Sequence, residues 1–202
     1  MNIVGNKFSQ KFGSHWVAVK FYKEEPVVKG AKRLENVSFC EAIKKATLNP
    51  IILDKKSIVC EGAQQAFGWN SKYRYEFLKK CEDKSKASKK VLKSMFSQVV
   101  RLNNFFKYIG LNTDSKPDLV ISYLPPEGVM KVIKKYNYHQ GDGLDISLVS
   151  MMSVCSGVAV KTYLDGSINV SFGCDDSRKY AEIGRDRLAV GIPRQLFNVF
   201  LD

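Results

Sequence analysis

The stretch Leu119-Val120-Ile121-Ser122-Tyr123-Leu124 is broken by Pro125-Pro126 and followed by Val129, Val132 and Ile133. Its hydrophobic pattern passes from a continuous apolar run to helical spacing, which reads as a strand, a loop and a helix whose first turn suits proline. A chain with such a unit must lay helices against a sheet. From His15 to Tyr22, Trp16, Ala18, Lys20 and Tyr22 alternate with Val17, Val19 and Phe21, the two-sided apolar character of a mostly buried strand. Residues 69–82 and 86–108 have helical composition, with Val91, Met95, Val99, Leu102 and Phe106 forming one apolar stripe at threes and fours. Gly157 to Leu164 and Ser167 to Phe172 flank Asp165-Gly166, a short-range hairpin signal. Helices are expected from Asp175 to Ile183 and, after Pro193, through Val199. Strands and helices interspersed in this way predict an α/β chain of mixed α+β type: a mixed sheet with packed helices and a β-hairpin in the C-terminal half.

The 202 residues, 45% hydrophobic, suffice for one well-buried core, so residues 1–202 are expected to form a single domain. No run of eighteen apolar residues exists, and Asn2, Asn6, Lys7 and Gln10 leave no apolar signal-peptide region at the N-terminus. The expectation is a cytoplasmic protein without membrane association. The five cysteines then read as reduced thiols rather than a disulfide framework, leaving burial, catalysis or metal binding as their uses.

The net charge of +12 is unevenly spread: residues 1–71 carry 11 basic and 6 acidic side chains, 72–93 carry 9 and 3, and 94–202 carry 12 and 11. Half of the excess therefore lies between Lys72 and Lys93. Lys79, Lys80, Lys86, Lys89 and Lys90 could meet nucleic acid or an acidic protein, but lysines lying largely off the apolar stripe read first as a solvated helix face, and no nucleic-acid-binding motif accompanies them.

One local self-similarity stands out. Cys40-Glu41-Ala42-Ile43-Lys44-Lys45-Ala46 and Cys60-Glu61-Gly62-Ala63-Gln64-Gln65-Ala66 each read as a cysteine opening a short helix after a strand-like or loop-like segment. Cys174 also precedes a predicted helix. The predicted hairpin would bring Cys155, before its first strand, close to Cys174, after its second. Helix starts offer free amides and positive partial charge, which favour a thiolate, although Glu41 and Glu61 add negative charge nearby. Spacing leaves two readings open, buried unreactive thiols or one shared metal site, because no pair of cysteines stands two to four residues apart and no ferredoxin-type run occurs. Cys81, among charged residues, is set aside. Asp175-Asp176 read as helix-capping residues. Arg178, one turn into the same helix, is a candidate for contact with an anionic ligand or cluster, against an outward surface position. His15 and His139, the only histidines, fall at a strand start and in a loop-like sequence, and cysteine–histidine catalysis is disfavoured. No metalloprotease, phosphate-loop or dinucleotide motif occurs.

The order Ala18-Val19-Lys20-Phe21, Cys40, Cys60-Glu61-Gly62-Ala63 with Phe67-Gly68, Asp118-Leu119-Val120, Cys155, Ser171-Phe172-Gly173-Cys174 with Ser177-Arg178, and Val190-Gly191-Ile192-Pro193 resembles a prokaryotic family known only as domain of unknown function number 169. The resemblance spans nearly the whole chain and implies that Cys40, Cys60, Cys155 and Cys174, not Cys81, are the recurrent cysteines. With it, the shared site is read as an iron–sulfur centre, [4Fe–4S] in preference to a closed four-cysteine zinc site, because the ligands are all soft and widely dispersed. The expected function is an electron carrier or a cluster-using enzyme with an unidentified redox or protein partner. The alternative is a non-catalytic module that uses residues 72–93 to bind nucleic acid or an acidic protein, with structural or zinc-binding cysteines.

Overall fold

The computed structural model describes residues 3–46, 49–70, 74–114 and 116–202. In chain order the elements are α1 (Ile3–Phe12), β1 (Trp16–Tyr22), β2 (Lys32–Arg33), α2 (Phe39–Lys45), β3 (Ile51–Leu53), α3 (Glu61–Ala66), α4 (Arg74–Ser85), α5 (Lys89–Ser97), β4 (Tyr108–Leu111), β5 (Leu119–Leu124) and α6 (Pro126–Gln140). A π-helix (Ser153–Val160) runs directly into α7 (Lys161–Asp165), followed by β6 (Asn169–Ser171), α8 (Asp175–Tyr180), β7 (Leu188–Pro193), a 3-10 turn (Arg194–Leu196) and α9 (Phe197–Leu201). Seven strands form one sheet in the order β2-β3-β4-β1-β5-β7-β6, antiparallel except for the β2/β3 pair. This is the expected mixed α/β architecture. Among the described residues no helix is long and apolar enough to cross a membrane.

The two-sided character of β1 and β5 has a direct cause, since each face of the sheet is covered. Val17, Val19 and Phe21 of β1 join Leu119 and Ile121 of β5 in a core with α2, α3, α5 and the π-helix. Trp16 and Ala18 join Val120 and Leu124 in a second core under α1, α6 and α9. There Phe8 packs its ring against Trp16 at 5.1 Å and Phe197 at 5.4 Å between centroids. Lys20, half-buried on β1, is paired with Asp118 at 2.9 Å, whose other oxygen accepts the Phe21 amide at 2.8 Å.

The hairpin expected at Asp165-Gly166 is not formed. Residues 153–165 are helical, and Gly166 ends α7 in the left-handed region with φ of 65°. Its amide donates to the Thr162 carbonyl at 3.1 Å. An apolar run such as Val154–Val160 fits a strand or a helix buried on all sides, and Asp-Gly serves a left-handed helix end as well as a tight β-turn. The partner of β6 is β7, reached through α8.

The helix expected over 86–108 stops at Ser97, and Tyr108 already opens β4. Its buried line is Leu92 and Phe96, continued by Val99 and Leu102 in the following loop, while Val91 is exposed. Helix α8 ends before Ile183, and α1 is a helix that periodicity did not disclose. Within the basic segment α4 and α5 are helical as expected; Ser71, Lys72 and Tyr73 lie outside the described residues.

Candidate cysteine site

The repeated cysteine segments are laid side by side by the backbone. Strands β2 and β3 pair in parallel, Lys32 with Ile51 and Arg33 with Ile52, and further along Val37 bridges to Ile58 in the same sense. The Val37 amide donates to the Ser57 carbonyl at 3.1 Å, and the Val59 amide to the Val37 carbonyl at 3.0 Å. Each chain then turns into a helix carrying its cysteine at the start. Ser38 caps α2, its hydroxyl accepting the Glu41 amide at 3.1 Å, so Cys40 falls within the first turn. Cys60 itself occupies the cap of α3, and Cys174 the cap of α8. The local resemblance is therefore a tandem strand-to-helix unit, with both thiols delivered to one side of the sheet.

Cys155 arrives by a different route from the one expected. It lies in the buried π-helix, where its thiol meets the Met152 carbonyl at 3.5 Å. Helices of this type are uncommon and concentrate at functional positions. Cys40, Cys60, Cys155 and Cys174 all line one cleft of about 810 Å³ between the starts of α2, α3 and α8, the π-helix and the α4–α5 wall. Cys81, on α4, lines it as well, so every cysteine of the chain borders this single space. Met95, Met151 and Met152 add thioethers to the same lining.

The thiols act on one another. Burial pushes Cys40 well above the usual thiol range, and the proximity of Cys174 and Cys60 adds to the rise. Burial does the same to Cys155, reinforced by Cys60, Cys40 and Cys174. Cys60 is raised by burial, while the Ala63 and Gly62 amides at the start of α3 pull it back, as a helix start should. Tyr123 also belongs to the site. The two-residue period of β5 turns it to the cysteine side with Leu119 and Ile121, and its hydroxyl donates to the Cys40 carbonyl at 3.3 Å. Burial and neighbouring Cys40, Cys174 and Cys155 hold its phenol well above the ordinary range.

Arg178 is not among the residues lining the cleft. Its guanidinium donates to the carbonyls of Phe172 at 2.7 Å, Arg187 at 2.8 Å and Gly184, tying α8 to the segment before β7. Asp175 and Asp176 stand in the first turn of α8, on the cleft. Lys79, Lys80, Lys86, Lys89 and Lys90 are exposed. Lys80 reaches across the cleft to Glu61 at 2.7 Å, so the basic segment forms one wall of the cysteine site. Both His15 and His139 are exposed.

Burial of Cys40, Cys60 and Cys155 in one cleft has a measurable consequence. Because burial raises Cys40, Cys60 and Cys155, they stabilise the metal-free fold fully below the pKa of an unfolded thiol, about 8.5. Above it the unfolded chain ionises while the folded thiols keep their protons, so stability falls until the folded pKa values are passed. The melting temperature of reduced, metal-free protein is expected to drop above that pH, and less so in Cys155→Ser. Equal slopes in the two proteins would mean that Cys155 ionises in the fold as readily as in the unfolded chain.

The sequence profile of domain-of-unknown-function family 169 (DUF169), described as an uncharacterised ArCR, matches residues 11–202. The chain belongs to this family. A DUF169 assignment carries no activity with it. The chain is also similar to the uncharacterised protein MJ0308 of Methanocaldococcus jannaschii, 27% identical over 81 residues. That alignment covers 40% of this chain and 35% of the relative. No solved structure matches.

The donor set can be tested against the centres it might hold. One zinc ion bound by four thiolates at about 2.3 Å draws the sulfurs to within roughly 4 Å of one another. Among the described residues, no group of three or more His, Cys, Asp or Glu side chains is arranged to hold a metal ion. In an inorganic cluster each iron takes its own thiolate, and Cys40, Cys60, Cys155 and Cys174 all line the cleft.

Proposed function

We propose that this DUF169 protein binds a [4Fe–4S] cluster through Cys40, Cys60, Cys155 and Cys174 and uses it in redox chemistry. The observation that carries the reading is the convergence of four thiols, from four separate segments, on one cleft where they perturb one another. When bound, such a cluster supplies a one-electron centre whose potential depends on burial and on hydrogen bonds to its sulfurs. The chain's own residues account for both. Cys40 and Cys155 are buried on one side, while the Gly62 and Ala63 amides at the start of α3 draw the Cys60 thiol downward. Thiol deprotonation must accompany binding, so loading releases protons and weakens as pH falls.

Protein expressed and purified without oxygen, or reconstituted with iron and sulfide, should contain the two in similar amounts and absorb broadly in the visible range. Air or reduction should bleach it. Zinc without sulfide would turn the site into a structural four-cysteine centre that closes on the metal. Colourless, folded protein holding no metal after reconstitution would leave the cysteines as buried thiols and end the cluster reading.

A further inference from the structure

The walls of the cleft are not equally well anchored. On one side α2, α3, α8 and the π-helix line it, and on the other α4 and α5. α5 is fixed in the core by Leu92 and Phe96, each 2% exposed. α4, which packs on α5, lies outside the core. Among its described side chains none is buried: Leu78, Cys81 and Glu82 are half-buried and the others exposed. Only Leu78 and Cys81 of these touch the edge of the core. The two helices meet at a tight corner. The Lys86 amide ends α4 by donating to the Glu82 carbonyl at 2.9 Å, Lys86 itself turns through the left-handed region with φ of 55°, and Ser88 already caps α5.

Charge is divided between the walls in the same way. The carboxylates lining the cleft, Glu41, Glu61, Asp175 and Asp176, stand on α2, α3 and α8, while its lysines, Lys80 and Lys84, both stand on α4. Glu41 pairs with Lys45 of its own helix at 2.6 Å, but Lys80 crosses the cleft to Glu61, the residue after Cys60, at 2.7 Å. Burial raises the Cys81 thiol on α4; Lys84 opposes the rise, and Glu61 and Asp176 add to it, which puts both carboxylates within electrostatic reach of this wall.

We infer that α4 is a lid on the cysteine cleft, hinged at Lys86 and drawn shut by the attraction of Lys80 and Lys84 to the carboxylates of α3 and α8. The basic segment thus finds an acidic counterpart within its own chain. The inference rests on the shape and charge of the cleft and does not depend on the cluster reading. Lys80 and Glu61 are 61% and 29% exposed, so their pair is weak and screened by salt, shifting the ratio of closed to open lid by about two- to fivefold. A helix held in this way opens and recloses locally while the core stays folded. Each opening uncovers Cys60 beside the broken ion pair.

The test is the rate at which N-ethylmaleimide, an uncharged reagent, alkylates Cys60 in full-length, reduced, metal-free protein, with each cysteine followed separately by peptide mass spectrometry. Lys80→Gln should speed alkylation of Cys60 by about two- to fivefold at low salt, and Lys80→Arg should keep the parental rate. The sign separates a lid from a purely electrostatic effect, since removing a cation near a thiol disfavours the thiolate and by itself slows alkylation. High salt should bring the parent toward the Lys80→Gln rate and change that variant less. Hydrogen exchange should show the α4 amides opening ahead of those from Leu92 to Phe96, and Lys80→Gln should speed exchange in α4 alone. Unchanged or slower alkylation in Lys80→Gln, with α4 amides exchanging as slowly as those of β1 and β5, would make α4 a fixed wall and overturn the inference. Faster exchange spread through α5 and the sheet would mean general loosening and overturn it equally. Iron plays no part in the readout, so protein that fails to load a cluster still decides the question.

Discussion

Replacing any one of Cys40, Cys60, Cys155 or Cys174 by serine is expected to strip most of the iron and sulfide from anaerobically prepared protein and abolish its visible absorption. Serine keeps the size of the side chain but offers a hard hydroxyl where a soft thiolate is required. The four positions should nevertheless differ in what happens to the fold. Cys40 and Cys155 are buried, so a hydroxyl there needs a hydrogen-bond partner, and at Cys155 the Met152 carbonyl is at hand. Cys60 and Cys174 are partly exposed helix caps, where serine is a favoured residue, so those variants should fold at least as stably as the parent while losing the cluster. Cys81→Ser should keep its iron, although Cys81 borders the same cleft. If Cys81→Ser loses the cluster and one of the other four keeps it, the ligand set has been drawn wrongly.

The second large effect is expected at a glycine of the sheet. Gly191 lies in β7 between Ile121 of β5 and Asn169 of β6, and the π-helix crosses directly above it. A Cβ placed there would stand 2.7 Å from the Thr162 hydroxyl, 2.9 Å from a Val158 methyl and 3.0 Å from the Val158 carbonyl. The last of these is backbone and cannot turn aside. Gly191→Val must therefore lift the π-helix from the sheet, at a cost of about 1–3 kcal/mol for the overpacking. Cys155 rides on that helix and should move with it. The expected result is a destabilised protein that loads much less iron at a temperature where it is still folded, with Gly191→Ala intermediate. Normal loading by folded Gly191→Val protein would show that Cys155 tolerates displacement of its helix.

What the residues disclosed and what they concealed follow from the range of the forces involved. β1 and β5 were legible because two-sided burial leaves an unbroken apolar pattern, and the helix starts at Cys40, Cys60 and Cys174 because the residues on either side of each differ in propensity. The π-helix was not, since Val154, Val158, Ala159 and Val160 are apolar whichever way the segment winds, and only packing against β6 and β7 decides it. Tyr123 was within reach, because alternation along β5 already places it with Leu119 and Ile121. What could not be read was that this face would carry thiols, which depends on strand order. Arg178 shows the opposite limit. Its position one turn into α8 was legible, but its three carbonyl partners belong to turns that no local pattern encodes.

The parallel pairing of β2 with β3 and of Val37 with Ile58 makes Cys40 and Cys60 neighbours through a short, local stretch of chain, whereas Cys155 and Cys174 come from its far end. On a ribosome the first two thiols can take up their relative positions long before the others have been translated. Under the proposed function, two thiolates would be too few to complete a four-cysteine centre, so a nascent chain that met iron early would hold it incompletely. Assembly of that centre would then have to wait until the segments carrying Cys155 and Cys174 had been added.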